Sequence, residues 1–251
     1  MRPIAILTGG SRGIGKAILG RLIVEGYECL VFGLSPLAAL YASSVTFIRR
    51  DLSMPSEVLA AASDVERYLL EAARPAELLV NNAGGAWPCP VEDLRLPDVQ
   101  RDVMLNLLAP MLLSQAVLPR MRLSGRGSIV NIGSIAGRPG VRYLHAYGAA
   151  KAGLVAFTQS IAAEVADDGV RVNCVVPGAV DTESARAGRQ EISRLLGLDP
   201  EEYEKSMIAR TGLSRLLDPD EVAAAVLWLA QPEQRALTGQ AINVCGTMVM
   251  G

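Results

Sequence analysis

The chain is 251 residues long, half of them hydrophobic and 4% aromatic, with 24 glycines and a net charge of −2. This excludes a disordered, collagenous or disulfide-built chain, and the mixed charges leave no basic footprint for nucleic acid or a membrane surface. Cys29, Cys89, Cys174 and Cys245 are scattered without a CxxC pair and there is a single histidine, so no metal constellation is expected and the thiols read as buried and free in a reducing compartment.

Along the chain, apolar strand-like runs alternate with segments of helical apolar spacing. Strands are predicted at 3–7, 28–32, 45–48, 78–81, 128–132, 171–176 and 241–244. Helices are predicted at 14–25, 55–73, 97–122, 149–166 and 220–229. The alternation predicts one α/β domain over 1–251, a Rossmann-type doubly wound parallel sheet of about seven strands with helices on both faces. The apolar runs are strand-sized or short helix-sized, so neither a membrane span nor a signal peptide is predicted and a cytoplasmic protein is expected. One stretch, 183–213, breaks the rhythm. It is polar, charged in both signs and interrupted by Gly188, Gly197 and Pro200, and reads as two short helices outside the sheet.

The first strand runs into Thr8-Gly9-Gly10-Ser11-Arg12-Gly13-Ile14-Gly15 and then a helical segment. Glycines 9, 13 and 15 permit a tight turn and a close backbone approach to a pyrophosphate. The helix beginning near Gly13 points its N–H groups at that phosphate. The spacing Gly-x3-Gly-x-Gly differs from GxGxxG, and an ordinary strand–turn–helix connection is the alternative. After the second strand, Leu30-Val31-Phe32-Gly33-Leu34-Ser35 offers no acid for a ribose 2′-hydroxyl. Arg12 has the geometry to meet a 2′-phosphate instead, unless it is a solvated surface arginine. NADP(H) is therefore favoured over NAD(H).

Tyr147-Gly148-Ala149-Ala150-Lys151 opens another helical segment. Residues four apart share a helix face, with about 5–6 Å between Cβ atoms, so a phenol and an ammonium stand side by side. The ammonium favours the phenolate and would draw its ionisation down from about 10. Such a tyrosine exchanges a proton with an alcohol or ketone oxygen. Alone, the pair also fits two solvated side chains. His145 reads as a loop residue near the substrate pocket rather than as an acid–base group.

Together these motifs resemble the short-chain dehydrogenase/reductase family over essentially the whole chain. The matching residues are Thr8-Gly9-x3-Gly13-x-Gly15, Asn81-Asn82-Ala83-Gly84, Asn106, Ser134 thirteen residues before Tyr147-x3-Lys151, then Pro177-Gly178 and Thr182. The resemblance implies a catalytic set of Asn106, Ser134, Tyr147 and Lys151. Ser134 would donate to the substrate oxygen. Tyr147 would be the acid in reduction and the base in oxidation. Lys151 would lower its pKa and bind the nicotinamide ribose. Asn106 would hold a water linking Lys151 to solvent, or else is a buried polar helix group.

The implied cofactor contacts are Thr8, Gly9, Ser11, Arg12, Gly13, Ile14 and Gly15 of the turn, with Asp51 and Leu52 after the third strand. Asp51 would meet the adenine amine, or cap a helix beside Ser53 and Pro55. Asn82, Ala83 and Gly84 would leave room for the adenosine ribose, or form a tight turn with side-chain hydrogen bonds. Tyr147 and Lys151 recur here, and Pro177, Gly178, Val180 and Thr182 would cradle the nicotinamide carboxamide. Trp87 and Cys89 would form one pocket wall.

The expected function is a hydride transfer between nicotinamide and a small-molecule ketone or secondary alcohol. Ile132-Gly133-Ser134, the run from Tyr147 to Gly153 and Thr238-Gly239-Gln240 are similar to the 3-oxoacyl-thioester reductases. Members acting on acyl carrier protein tend to carry a basic residue where Asp168 stands, after Asp167. Two acids would repel an acidic carrier, leaving Arg120, Arg122 and Arg126 as a candidate patch. The alternatives are an NAD-dependent dehydrogenase of a small hydrophobic alcohol and a non-catalytic nucleotide sensor, which usually lacks the Tyr or the Lys. A homotetramer paired through 97–122 and 149–166 is expected. So is a lid at 183–213, roofing the substrate with Ile192, Leu195, Leu196 and Met207, with a permanently packed surface helix pair as the alternative.

Overall fold

The computed structural model describes residues 2–37 and 44–250. Ile4–Thr8 (β1) and Leu78–Asn81 (β4) are buried at every position, as strands covered on both faces must be. With Glu28–Gly33 (β2), Val45–Arg49 (β3), Gly127–Ile132 (β5), Val170–Pro177 (β6) and Ala241–Val244 (β7) they form a parallel sheet in the order β3-β2-β1-β4-β5-β6-β7. The order reverses between β1 and β4, and a crevice opens at such a point beyond the carboxyl ends of the strands.

Alternate residues of each strand feed two cores. Ile4, Ile6, Leu30, Leu79, Ile129 and Val172 face helices Pro55–Glu71 (α2), Ala109–Ser124 (α4) and His145–Val165 (α5). Ala5, Leu7, Val31, Val80, Val130 and Val175 face Gly13–Val24 (α1) and Pro219–Ala230 (α8). Every predicted strand is present, with bounds moved by a residue or two.

Two helix expectations need correction. The stretch predicted as one helix over 97–122 is α-helix Leu96–Val103 (α3), a π-helical turn Met104–Leu108, then α4. Pro110 has no N–H to give the carbonyl four residues earlier, which is that of Asn106, so the α pattern cannot run through. The predicted helix at 149–166 starts at His145, so His145 is the exposed first residue of α5 and not a loop residue. The run Leu96–Ser124 is also long and apolar enough to cross a membrane by length and composition. Its Leu113, Val117 and Met121 are instead buried in the core against Ile129.

The stretch 183–213 forms the predicted pair, Glu183–Leu196 (α6) and Pro200–Ala209 (α7). Ile192 is buried, Leu195, Leu196 and Met207 are half-buried, and α7 buries no residue fully.

Candidate active site at the carboxyl edge of the sheet

The loop after β1 is closed by backbone approach. A Cβ on Gly15 would stand 1.8 Å from the Gly9 carbonyl oxygen and 2.5 Å from Asn82 Nδ2, so no side chain fits there. Asn82 Nδ2 donates to the carbonyls of Thr8 and Gly9 at 2.9 and 3.0 Å. The N–H groups of Asn82 and Ala83 donate to Thr8 Oγ1 at 3.0 and 2.9 Å. Asn82 and Thr8 thus tie the turn to the end of β4, which is the hydrogen-bonded alternative raised for the Asn-Asn pair. Arg12 is the N-cap of α1 and provides no side-chain cap, so the first N–H groups of the helix remain for an anion. The arginine itself is exposed, and no ion pair involves it among the described residues. An open groove of about 420 Å³, lined by Gly13, Lys16 and Thr182 and also by the acids Asp181 and Glu183, runs from this helix start to α6. A diphosphate fits this cradle of bare backbone, helix N-terminus and free guanidinium.

At the end of β5 the chain turns through Ser134 into a 3-10 turn, Ile135–Gly137, whose Ala136 N–H donates to Ser134 Oγ at 3.1 Å. That turn lies directly on α5. A Cβ on Gly137 would be 2.7 Å from Ala152 N, and one on Gly148 would be 2.9 Å from Ala136 O. The two bare glycines let the turn settle on the helix, and Ser134 shares a hydrogen bond with the Tyr147 phenol. Lys151 is 3% exposed; its Nζ donates to Ile132 O at 2.7 Å and lies 5.8 Å from the centroid of the Tyr147 ring. Burial pulls the ammonium down to about 8, so it still carries its charge at neutral pH.

The expected depression of the Tyr147 pKa by Lys151 is not found. Desolvation of the phenol raises it, the hydrogen bond with Ser134 pulls the other way, and the Asp102 carboxylate pushes it up further. Lys151 commits one of its three N–H donors to Ile132 O. At neutral pH the tyrosine is therefore a protonated donor. Asn106, fully buried, clasps Gly85: its Nδ2 donates to Gly85 O at 2.9 Å and to Asp102 O at 3.0 Å, and Gly85 N donates to its Oδ1 at 3.4 Å. A Cβ on Gly84 would be 2.9 Å from Asn106 Oδ1 and 3.5 Å from Lys151 Nζ, so both polar groups reach one bare spot beside the turn.

The model for the short chain dehydrogenase family matches residues 3–193, most of the chain. The chain belongs to the short chain dehydrogenase family. It is 32% identical over 252 residues to the 3-oxoacyl-(acyl-carrier-protein) reductase FabG of Vibrio cholerae, covering 98% of this chain and 97% of that one. It is also 32% identical over 254 residues to a 3-alpha-(or 20-beta)-hydroxysteroid dehydrogenase of Mycobacterium bovis, covering 99% and 90%. Among solved structures it is similar to a single-residue variant of actinorhodin polyketide ketoreductase with NADPH. The TM-score is 0.88 and the identity 32%, over 98% of this chain and 97% of that one. The chain is an oxidoreductase by this membership.

Other predicted residues of this family member fall less simply. Asp51 Oδ1 accepts from Ser53 N at 3.0 Å and Ser53 Oγ at 2.7 Å in a local turn before α2, whose N-cap is Met54, so Asp51 does not cap that helix. The Leu52 side chain is 4% exposed and belongs to the core. Pro177 ends β6, Gly178 packs on the Cys245 backbone, and Val180 bridges to Leu217. Thr182 caps α6 by accepting from Ala185 N at 3.1 Å, and its Cγ2 would lie 3.0 Å from a Cβ on Gly13, which joins the cradle to α6. Ser11 and Ile14 are half-buried in the turn.

The Trp87 ring folds over Gly85, with the Arg101 guanidinium stacked on it at 3.9 Å. Cys89 N donates to Tyr143 O at 3.1 Å, so the segment after β4 lies against the start of α5. Cys29, Cys174 and Cys245 are buried and Cys89 half-buried, all as free thiols. The candidate carrier patch is largely neutralised, because Arg122 pairs with Glu164 at 2.7 Å and Asp168 at 2.9 Å, and Arg126 pairs with Glu77 at 3.2 Å.

Sequence reading missed four residues here. Asn131 accepts from Asn81 Nδ2 at 2.8 Å and donates to Thr158 Oγ1 at 2.9 Å, locking the fourth and fifth strands together under the site. An amide side chain among the apolar residues of the strand was the available signal. Tyr143, with φ of +68°, Arg101 and Asp102 had no pattern to mark them.

Proposed function

We propose that this chain is an NADP(H)-dependent ketoreductase that converts a ketone, including a 3-oxoacyl thioester, into the secondary alcohol. The observation that carries the reading is the Ser134–Tyr147 hydrogen bond beside the buried Lys151 ammonium. The nicotinamide, when bound, supplies the hydride. Gly9, Gly13, Gly15 and the α1 N-terminus would hold its diphosphate, Arg12 its 2′-phosphate, and Lys151 its ribose hydroxyls. Ser134 donates a hydrogen bond to the carbonyl oxygen, where negative charge develops. Tyr147, protonated at neutral pH, donates its proton to that oxygen. Asn106 keeps Gly85, and with it the turn after β4, against this centre.

NADPH consumption with simple ketones and with 3-oxoacyl thioesters, free and on a carrier protein, tests the proposal. Turnover of at least one class is expected. Nucleotide binding with no turnover of any would leave the sensor reading in its place. The neutralised Arg122 and Arg126 favour a thioester that needs no carrier docking.

Cofactor choice gives a second expected result. NADPH should be preferred over NADH, and Arg12→Ala should narrow the gap by about 1.5–3 kcal/mol, the size of a charge-assisted hydrogen bond to phosphate. Equal kcat/KM for the two cofactors in the unmutated enzyme would refute it.

The same reading includes a cytoplasmic homotetramer. Its supports are the four free thiols and the exposed Ala149, Ala152 and Ala156 along α5, a face on which a second helix can lie closely. Sedimentation as a monomer at micromolar concentration would count against the tetramer. A moving lid over the nicotinamide is its last part, supported by α7, which buries no residue fully. Amide exchange in α6 and α7 is expected to slow on adding NADPH with a substrate analogue. Protection equal to that of α4 in the free enzyme would rule the motion out.

A further inference from the structure

The turn of α3 before Asn106 carries a carboxylate that the proton transfer above leaves out. Asp102 is 4% exposed, and its Oδ1 is buried without a hydrogen-bond partner among the described residues. Burying a carboxylate unpaired is costly, so this one calls for a physical explanation. It stands one helical turn before Asn106, whose Nδ2 donates to its main-chain oxygen at 3.0 Å. Residues four apart share a helix face, and on this face Asn106 reaches the bare spot at Gly84 that Lys151 also reaches. Asp102 is the one buried residue of α3, a helix that packs against α5.

The titratable and charged groups around it come from three elements. Tyr147 feels its charge from α5, the helix that also carries Lys151, and Cys89 feels it from the segment after β4; Asp98 and Arg101 are on α3 itself. The π turn brings none. Neither cation neutralises it at close range. Arg101 stacks on Trp87 and pairs with Asp98 at 3.2 Å, and Lys151 is bonded to Ile132 O. Among the described residues Asp102 has no ion-pair partner within 4 Å. Its charge raises the Tyr147 phenol and the Cys89 thiol. Burial lifts its own pKa only to about 6, so it is ionised at neutral pH.

We infer that Asp102 is a positioning residue for proton transfer, its buried and unpaired carboxylate acting from α3 on the Tyr147 phenol across the α3–α5 contact. The inference rests on the ketoreductase reading of Tyr147.

Asp102→Asn keeps the shape and removes the charge. In the NADP⁺-bound enzyme the acid limb of kcat/KM for alcohol oxidation is expected to move down by about 0.5–1 pH unit, the effect of one unit charge across a partly buried site. Ultraviolet titration of tyrosinate, taken as the difference between each protein and its Tyr147→Phe counterpart, reads the same ionisation without turnover. It should fall in parallel and return toward the original value in Asp102→Glu. An unmoved or raised Tyr147 ionisation in folded Asp102→Asn overturns the inference. So does a uniform loss of kcat/KM with an unchanged profile, which marks a structural role. Asp102→Ser is the second neutral variant, and failure of both to fold also overturns it. Absence of turnover on every ketone would remove the ketoreductase reading, while the tyrosinate titration would still decide about Asp102.

Discussion

Tyr147→Phe is expected to bind NADPH nearly as the unmutated protein does and to lose turnover by about 10²–10⁴, the usual contribution of a general acid. The ring keeps its place at the start of α5, and only the hydroxyl that meets Ser134 is lost. Ser134 and the bound nicotinamide remain, so the residual rate should lack the pH dependence set by the phenol. Parallel measurement of nucleotide affinity by fluorescence and of single-turnover reduction separates the two effects. More than a tenth of the original rate would remove Tyr147 from the proton transfer.

The second large effect is on Lys151, where activity and stability are expected to move in opposite directions. Lys151→Met should cost at least about a hundredfold in turnover, because the charge beside the phenol and the ribose contact both go. Its folded pKa of about 8 lies below the ordinary 10.5. Below pH 8 the ammonium is charged in both states, and the fold carries the full cost of burying it. From pH 8 to 10.5 the unfolded chain binds more protons than the folded one, so that cost fades as pH rises. At neutral pH it amounts to about 3 kcal/mol, because each tenfold change in the protonation equilibrium is worth about 1.4 kcal/mol.

Against this, methionine leaves the Ile132 carbonyl without its donor, at about 1–3 kcal/mol. The net gain in stability at pH 7 is then about 0–2 kcal/mol, a few degrees in Tm at most for a chain of this size. Thermal melts of both proteins from pH 7 to 10 check the sign. The advantage of Lys151→Met should shrink or reverse as pH rises. An advantage that grows with pH would mean that the ammonium is not penalised by burial.

The two variants probe different kinds of information in the chain. Periodicity and punctuation along the sequence were enough for the seven strands, the phosphate turn between β1 and α1, and the helical pair after Thr182. These depend on local φ/ψ preferences and on apolar spacing, which are written in neighbouring residues. The order and spacing of Thr8–Gly15, Asn81–Gly84, Ser134 and Tyr147–Lys151 were likewise enough for the family and the reaction class.

What only the tertiary structure decided was how these groups act on one another. Gly137 and Gly148 are far from Asn106 in the chain, yet their bareness brings Ser134 onto Tyr147, while Asn106 clasps Gly85 across the crevice. The missing N–H of Pro110 has its effect only because a π turn is then free to aim Asn106 inward. Helical spacing foresaw that Lys151 would stand beside Tyr147 and assumed that proximity would lower the phenol's pKa. Desolvation raised it instead, and the Asp102 carboxylate raised it further. Proximity of two residues is a local property of a helix. The cost of charging a group is set by everything packed around it, from α3, β5 and β6 together, and no short stretch of sequence contains that sum.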